Sequence, residues 1–322
     1  MTLADWSRWT RAATIIVAAV AIWLVVHELR HFTIDQVLGS LRAVTPHRLI
    51  LAAVYTGLSY LALTGFDYLG VRYAGWRLAY GRVALASFVS LSIGHTVGLA
   101  PLSSGAIRYR FYSRWGLRAI DIVKVVTISA VTVALGETAV AAAALLGRRS
   151  EAARILDLPQ GLVLLAGIGC VTALAAYVGA ALLWRAPFRV FRQSIKLPGW
   201  RLAIGQIVIG TINYALVTAA LQQALGPAAI DYPTVATAYI LANLAALASH
   251  VPGGLGVIET VVITLLPNVN AIGGLVAFRA VYFLAPLAIG TLVFAAAELL
   301  PFITRVRGAP RGAAASERSS AE

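Results

Sequence analysis

The chain is short of charge, of sulfur and of polar stretches, and each scarcity removes a class of protein. A single cysteine, Cys170, leaves no disulfide framework, no Cys-x-x-Cys redox pair and no thiolate zinc site. Charged residues make up 12% of the 322 residues, about half of the ~25% usual in a soluble domain. Acids are the scarcer sign, 13 Asp and Glu against 26 Lys and Arg, a net charge of +13. No polar stretch between apolar segments exceeds about twenty residues, short of the ~40 that a small independent fold requires, which leaves no room for a soluble catalytic domain. Gly-x-Ser-x-Gly and Walker signatures are missing, and Gly253-Gly254-Leu255-Gly256 lacks the spacing of a dinucleotide fingerprint, so no cofactor is expected.

What the chain does have is hydrophobic residues, 60% of the total, the composition of a membrane protein. In a soluble chain an excess of +13 suggests nucleic acid; in a bilayer protein it marks loops held on the cytoplasmic side, facing anionic lipid. The expected partners are therefore membrane lipids and not nucleic acid.

A spanning helix needs about 20 mostly apolar residues. Residues 12–29, 48–67, 83–99, 120–146, 161–184, 202–225, 235–249, 255–266 and 274–300 are the candidate segments. The first follows Arg8 and Arg11 without a cleavage site and reads as a retained helix. The sequence thus predicts an all-α, polytopic helical bundle, with one transmembrane domain over 1–303 and a disordered tail over 304–322.

Two places interrupt the pattern in the same way. Residues 83–99 are followed by Pro101, Gly105 and Arg108, and residues 235–249 by Pro252, Gly256 and Glu259. Both read Pro-x3-Gly-x2-charge, and Pro252-Gly253-Gly254 strengthens the second break. At membrane depth broken backbone is tolerated only where protein or a wet cavity satisfies it, and paired breaks point to a transport site. If both regions are re-entrant hairpins, 18 of the 26 basic residues lie on the inner face and six on the outer, with Lys124 and Arg279 inside helices. That arrangement has about six full spans and two hairpins entering from opposite faces, an inverted repeat.

Ionisable groups inside apolar segments are the candidate functional residues, because each costs ~2.5 to 3.5 kcal/mol at a helix centre. Arg108 and Arg110 open the stretch after Pro101, where free N–H groups of a half-helix and the guanidinium fork suit a phosphate. Arg110, Arg114 and Arg118 form an i, i+4, i+8 stripe, of which Arg114 and Arg118 read as an interfacial anchor, whereas Arg108 shares another face with Tyr112 and Trp115. Glu137, Glu259 and Arg279 each need an interior partner, with Arg108 or Arg279 the candidates for the glutamates. Lys124 and Glu137 stand about 20 Å apart along one helix and do not pair. His95 and His250 lie beside the breaks, as caps or proton carriers. His27-Glu28-Leu29-Arg30-His31 matches H-E-x-x-H, but a catalytic zinc needs a third ligand and the motif sits at a membrane boundary.

At the two breaks the sequence resembles a known family. Ile93-Gly94-His95-Thr96-Val97-Gly98, the stretch from Ser104 to Ser113, and Trp115-Gly116-Leu117 resemble the membrane region of bacterial lysylphosphatidylglycerol synthase/flippases, the multiple peptide resistance factor family. His250-Val251-Pro252-Gly253-Gly254-Leu255-Gly256-Val257-Ile258-Glu259 is similar to that family's second signature, and Arg279, Tyr282 and Pro286 fit its last helix. The resemblance spans most of residues 10–303 and implies transfer of a phospholipid or other anionic-headgroup lipid between leaflets of the bacterial inner membrane. The family's large acyltransferase-like domain has no counterpart in the sequence, so lipid aminoacylation, and enzyme activity generally, are not expected. Substrate contacts are expected from Arg108, Arg110, Glu137, Glu259, Arg279, Ser104, Gly105 and Tyr112. The alternatives are a non-transporting scaffold for a separately encoded lipid synthase, with or without homo-oligomer formation, and an intramembrane zinc protease through His27, Glu28 and His31.

Overall fold

The computed structural model describes residues 34–97, 100–184, 188–190, 193–195, 197–226, 230–249, 251, 254–266 and 271–307. The predicted segment 12–29, the motif at His27 to His31, His250, Pro252 and Gly253 lie outside the described residues, as does 308–322.

In lipid every backbone polar group must be paired within its own segment, so long apolar runs fold as helices. In chain order these are α1 (Ile34–Ala43), α2 (Pro46–Tyr73), α3 (Tyr80–Val97), α4 (Ala100–Arg114), α5 (Ala119–Gly147), α6 (Arg149–Leu156) and α7 (Gln160–Leu183). A two-stranded antiparallel ribbon, β1 (Phe188–Val190) and β2 (Gln193–Ile195), follows. Then come α8 (Trp200–Ala224), α9 (Tyr232–Ser249), α10 (Val257–Leu265), α11 (Ala271–Arg279) and α12 (Ala285–Arg307), the last two joined through the π-helical segment Ala280–Leu284. The protein is an all-α polytopic membrane bundle. Helix α12 runs four residues into the stretch expected to be a disordered tail.

Among the described residues five stretches are long and apolar enough to cross a membrane: α2, α5, α7, α8 and the continuous run Ala271–Glu298. The two interrupted regions form helical hairpins instead. Helices α3 and α4 pack on each other, as do α9 and α10. The nine residues of α10 rise about 14 Å, less than half of a ~30 Å hydrocarbon core. Both hairpins pack against α5, which therefore stands between them.

The repeat is one of sequence and not of local conformation. The expected break does not fall at Pro101: Pro101, Gly105 and Arg108 all lie inside α4, which begins at Ala100. Pro101 is the second residue of α4, where its missing N–H costs nothing because first-turn donors have no intrahelical partner. At the second break Gly254 and Gly256 take φ of 60° and 73°, the left-handed region that favours glycine, and α10 begins only after them.

Polarity is arranged for a lipid solvent. Along α2 the residues Thr56, Ser59, Thr64 and Asp67 are buried, whereas Ile50, Val54, Leu58 and Leu61 face outward. The three central spans α2, α5 and α8 pack on one another, and small residues set their approach. Gly136 of α5 meets Gly210 of α8 backbone to backbone; a Cβ on Gly210 would stand 2.6 Å from the Thr132 carbonyl oxygen. Nearby, the buried Gln206 donates to Ile128 O (3.2 Å) and to Thr132 Oγ1 (3.0 Å) and accepts from Tyr177 of α7 (2.7 Å), tying three spans together.

Candidate functional site

The interior of the bundle is built around two ion pairs, one for each hairpin. In the first, Arg108 of α4 meets Asp67 of α2, and both side chains are out of solvent, 2% and 0% exposed. Arg108 Nε donates to Asp67 Oδ2 at 2.8 Å and Nη2 to Oδ1 at 2.7 Å, a bidentate pair. Tyr112, one turn on from Arg108, donates its hydroxyl to Oδ2 at 2.9 Å, and Ser129 of α5 donates to Oδ1 at 2.9 Å. Arg108 Nη1 reaches Ser104 Oγ at 2.9 Å. Four donors thus surround one carboxylate, and the desolvation of both charges is offset only because every one of these bonds is made. The shared face of Arg108 and Tyr112 follows from their i, i+4 spacing.

The second pair joins Glu259, in the first turn of α10, to Arg279 at the end of α11. Arg279 Nη2 lies 3.1 Å from Glu259 Oε2 and donates to the Gly254 carbonyl oxygen at 3.0 Å, so the same guanidinium holds the turn that begins the short helix. Nε of Arg279 also bonds Glu259 Oε1.

Between the hairpins lies a cavity of about 600 Å³. One wall is the face of α5 carrying Val126, Ser129, Ala130, Val133, Ala134 and Glu137. The first hairpin supplies His95, Ser104 and Arg108, and the second supplies Tyr239, Asn243, Val251 and Gly254. Leu63 and Phe66 of α2, Asn213 and Tyr214 of α8 and Tyr282 of the π segment also line it. The cavity therefore has two polar ends, Arg108 with Ser129 and Glu137 with Asn243, separated along α5 by eight residues, or about 12 Å. Apolar side chains fill the interval. Ala130, Ala134 and Leu247, all exposed, border the cavity where α5 and α9 face the outside of the bundle.

Glu137 itself is 5% exposed. Its Oε1 accepts a 2.8 Å bond from Asn243 Nδ2, which also reaches the Tyr214 hydroxyl at 3.2 Å.

The residues expected from sequence do not form one cluster. Arg108, Ser104 and Glu137 reach the cavity; Tyr112 acts behind Arg108; Gly105 sits inside α4 with open space where a Cβ would be. Arg108 is the ninth residue of α4, so the free N–H groups of the first turn do not surround it, and the expected half-helix cradle is corrected accordingly. Arg110 points elsewhere, donating to Glu298 of α12 at 3.0 and 2.7 Å, and Arg114 shares that carboxylate. Arg118 leaves the stripe because α4 ends at Arg114, and it pairs with Asp121, as does Lys124. Of the two expected partners for the glutamates, Arg279 takes Glu259, whereas Arg108 takes Asp67. Asp67 is not among the expected site residues, because the apolar run in the sequence ends on it; α2 continues to Tyr73, which puts that acid inside the helix. The signal was available in the aromatic and apolar residues that follow it. Asn243, Tyr214 and Ser129 carry no charge, and nothing in the sequence singles them out.

No protein-family profile matches the chain. Among curated proteins, it is 32% identical over 279 residues to the uncharacterized protein slr0712 of Synechocystis sp. (strain ATCC 27184 / PCC 6803 / Kazusa), covering 85% of this chain and 86% of that one. It is also 29% identical over 254 residues to the inner membrane protein YbhN of Escherichia coli (strain K12), covering 74% and 76%.

Proposed function

The chain belongs to the family of the Synechocystis protein slr0712, and from that premise we propose that it carries a phospholipid or other anionic-headgroup lipid between the leaflets of a bacterial inner membrane. The observation that supports this most is the cavity of about 600 Å³ between two helical hairpins, with a buried arginine in its wall and apolar sides. A guanidinium has five N–H groups, and Arg108 commits three of them to Asp67 and Ser104. The remaining two are available to a phosphate oxygen, in a site whose net charge is low because Asp67 already balances the arginine. A headgroup bound there is shielded from hydrocarbon while its acyl chains leave past Ala130, Ala134 and Leu247 into the bilayer. Alternate opening of the cavity past one hairpin and then the other completes the transfer. The inner-membrane relative YbhN supports the location, and the likeness of both hairpin signatures to lysylphosphatidylglycerol synthase/flippases supports the reaction.

The test is reconstitution of the full chain in vesicles of phosphatidylethanolamine and phosphatidylglycerol, with headgroup-labelled phosphatidylglycerol in both leaflets and a membrane-impermeant quencher outside. Protein-containing vesicles are expected to lose label from both leaflets, and vesicles with the neutral pair Asp67→Asn/Arg108→Gln from the outer leaflet alone. Quenching confined to the outer leaflet with the unmodified protein refutes the proposal.

A further inference from the structure

The described acids separate cleanly by environment. Asp35 and Asp157 are exposed, and Asp67, Asp121, Glu151, Asp231, Glu259 and Glu298 each have a basic side chain within 4 Å. Among the described residues Glu137 is the one acid that is buried with no basic partner, and it faces the cavity. Its hydrogen-bond partners are neutral, the Tyr214 hydroxyl and the amide of Asn243, whose Nδ2–H serves a carboxylate and a neutral carboxyl alike. A cation at that place would favour only the ionised form; an amide leaves both forms accommodated. The surrounding titratable groups add no compensating positive charge. Tyr214 comes from α8, Tyr239 from α9 and Tyr282 from the π segment. The first hairpin puts His95 and Arg108 at the opposite end, where Asp67 of α2 holds the arginine, while Tyr177 of α7 is bonded to Gln206 and Glu151 of α6 to Arg148.

We propose that Glu137 is a proton-binding site that couples movement of the lipid to a transmembrane proton gradient, an inference that rests on the cavity being the lipid path. With the cavity open to one face, the carboxylate takes a proton from water and an O–H bond forms. With it open to the other face, that bond breaks, the proton returns to water and the carboxylate is restored. One proton crosses and no electrons move. Val133 and its apolar neighbours separate this carboxyl from Arg108, so protonation and headgroup binding occupy different ends of one cavity and are linked through its opening.

The experiment uses the full chain in the same labelled vesicles, with a pH gradient imposed or absent and a pH-sensitive dye inside. In the unmodified protein the gradient is expected to change the rate of lipid transfer severalfold, with proton uptake accompanying it. Glu137→Gln, which keeps an acceptor for Asn243, is expected to lose both the gradient response and the proton signal, and Glu137→Asp to retain them. A gradient response that survives in Glu137→Gln overturns the inference. Lipid transfer by the unmodified protein that ignores the gradient also overturns it while leaving the lipid path intact; absence of all transfer removes the functional reading and the coupling together. Infrared spectra of the purified protein give a separate check: a protonated-carboxyl C=O band that changes with pH and is missing in Glu137→Gln is expected, and its absence from the unmodified protein counts against the site.

Discussion

Replacing Arg108 by Gln isolates the contribution of the Asp67 pair. The substitution leaves Asp67 fully buried with hydrogen bonds from Tyr112 and Ser129 but no cation, and removal of one partner from a buried pair costs about 3 to 5 kcal/mol. Asp67→Asn leaves Arg108 in the converse position, with Ser104 still beside it, at a similar cost. The double variant Asp67→Asn/Arg108→Gln carries no stranded charge, so its loss is expected to be smaller than either single loss. A coupling of about 3 kcal/mol or more follows, well above the ~0.6 kcal/mol average of interhelical hydrogen bonds in a membrane bundle. Reversible unfolding in mixed micelles of rising dodecyl sulfate content, followed by tryptophan fluorescence, reads all four corners of this cycle. Additive losses below about 1 kcal/mol each, the size seen for water-exposed pairs, would show that the site is wet and refute the reasoning.

Other consequences are more local. Gly210→Ala puts a Cβ against the Thr132 carbonyl at the α5–α8 crossing and is expected to cost about 1 to 3 kcal/mol in the same assay, whereas Gly105→Ala, with open space at its Cβ and a helical backbone, is neutral or slightly stabilising. Glu298→Gln loosens Arg110 and Arg114, which are 17% and 40% exposed, so its thermodynamic cost is under about 1 kcal/mol and shrinks further in high salt. For topology, cysteines placed at Asp231 and in the tail beyond Arg307 are expected to react with an impermeant maleimide from opposite faces; labelling from one face breaks the inverted arrangement of the hairpins.

The long spans were legible because length and apolarity determine them almost alone: α5, α7 and α8 begin and end within a few residues of the predicted runs. The hairpins were legible as interruptions, yet the role of each proline and glycine was not. Proline is favoured in the first turn of a helix and disfavoured within one, so Pro101 marks a start as readily as a break. Charges were harder still. Glu259 and Arg279 were both singled out, but their pairing depends on α10 folding back beside α11, a tertiary fact. The Asp67–Arg108 pair was hidden by a boundary drawn one and a half turns too early in α2. Glu298 has no signal in the sequence: Arg110 reads as a phosphate ligand and Arg114 as an interfacial anchor, and both meet that acid only through the packing of the bundle.

The cavity between the hairpins is the proposed path, and filling it is the most direct trial. Ala130 borders the opening at the α5 wall, so Ala130→Trp places an indole in the space between the Arg108 and Glu137 ends without disturbing either ion pair. In the labelled-vesicle assay this variant, once dodecyl sulfate titration has established that it is as stable as the unmodified protein, is expected to leave inner-leaflet lipid unquenched. Transfer at the unmodified rate would mean that lipid does not pass through this cavity.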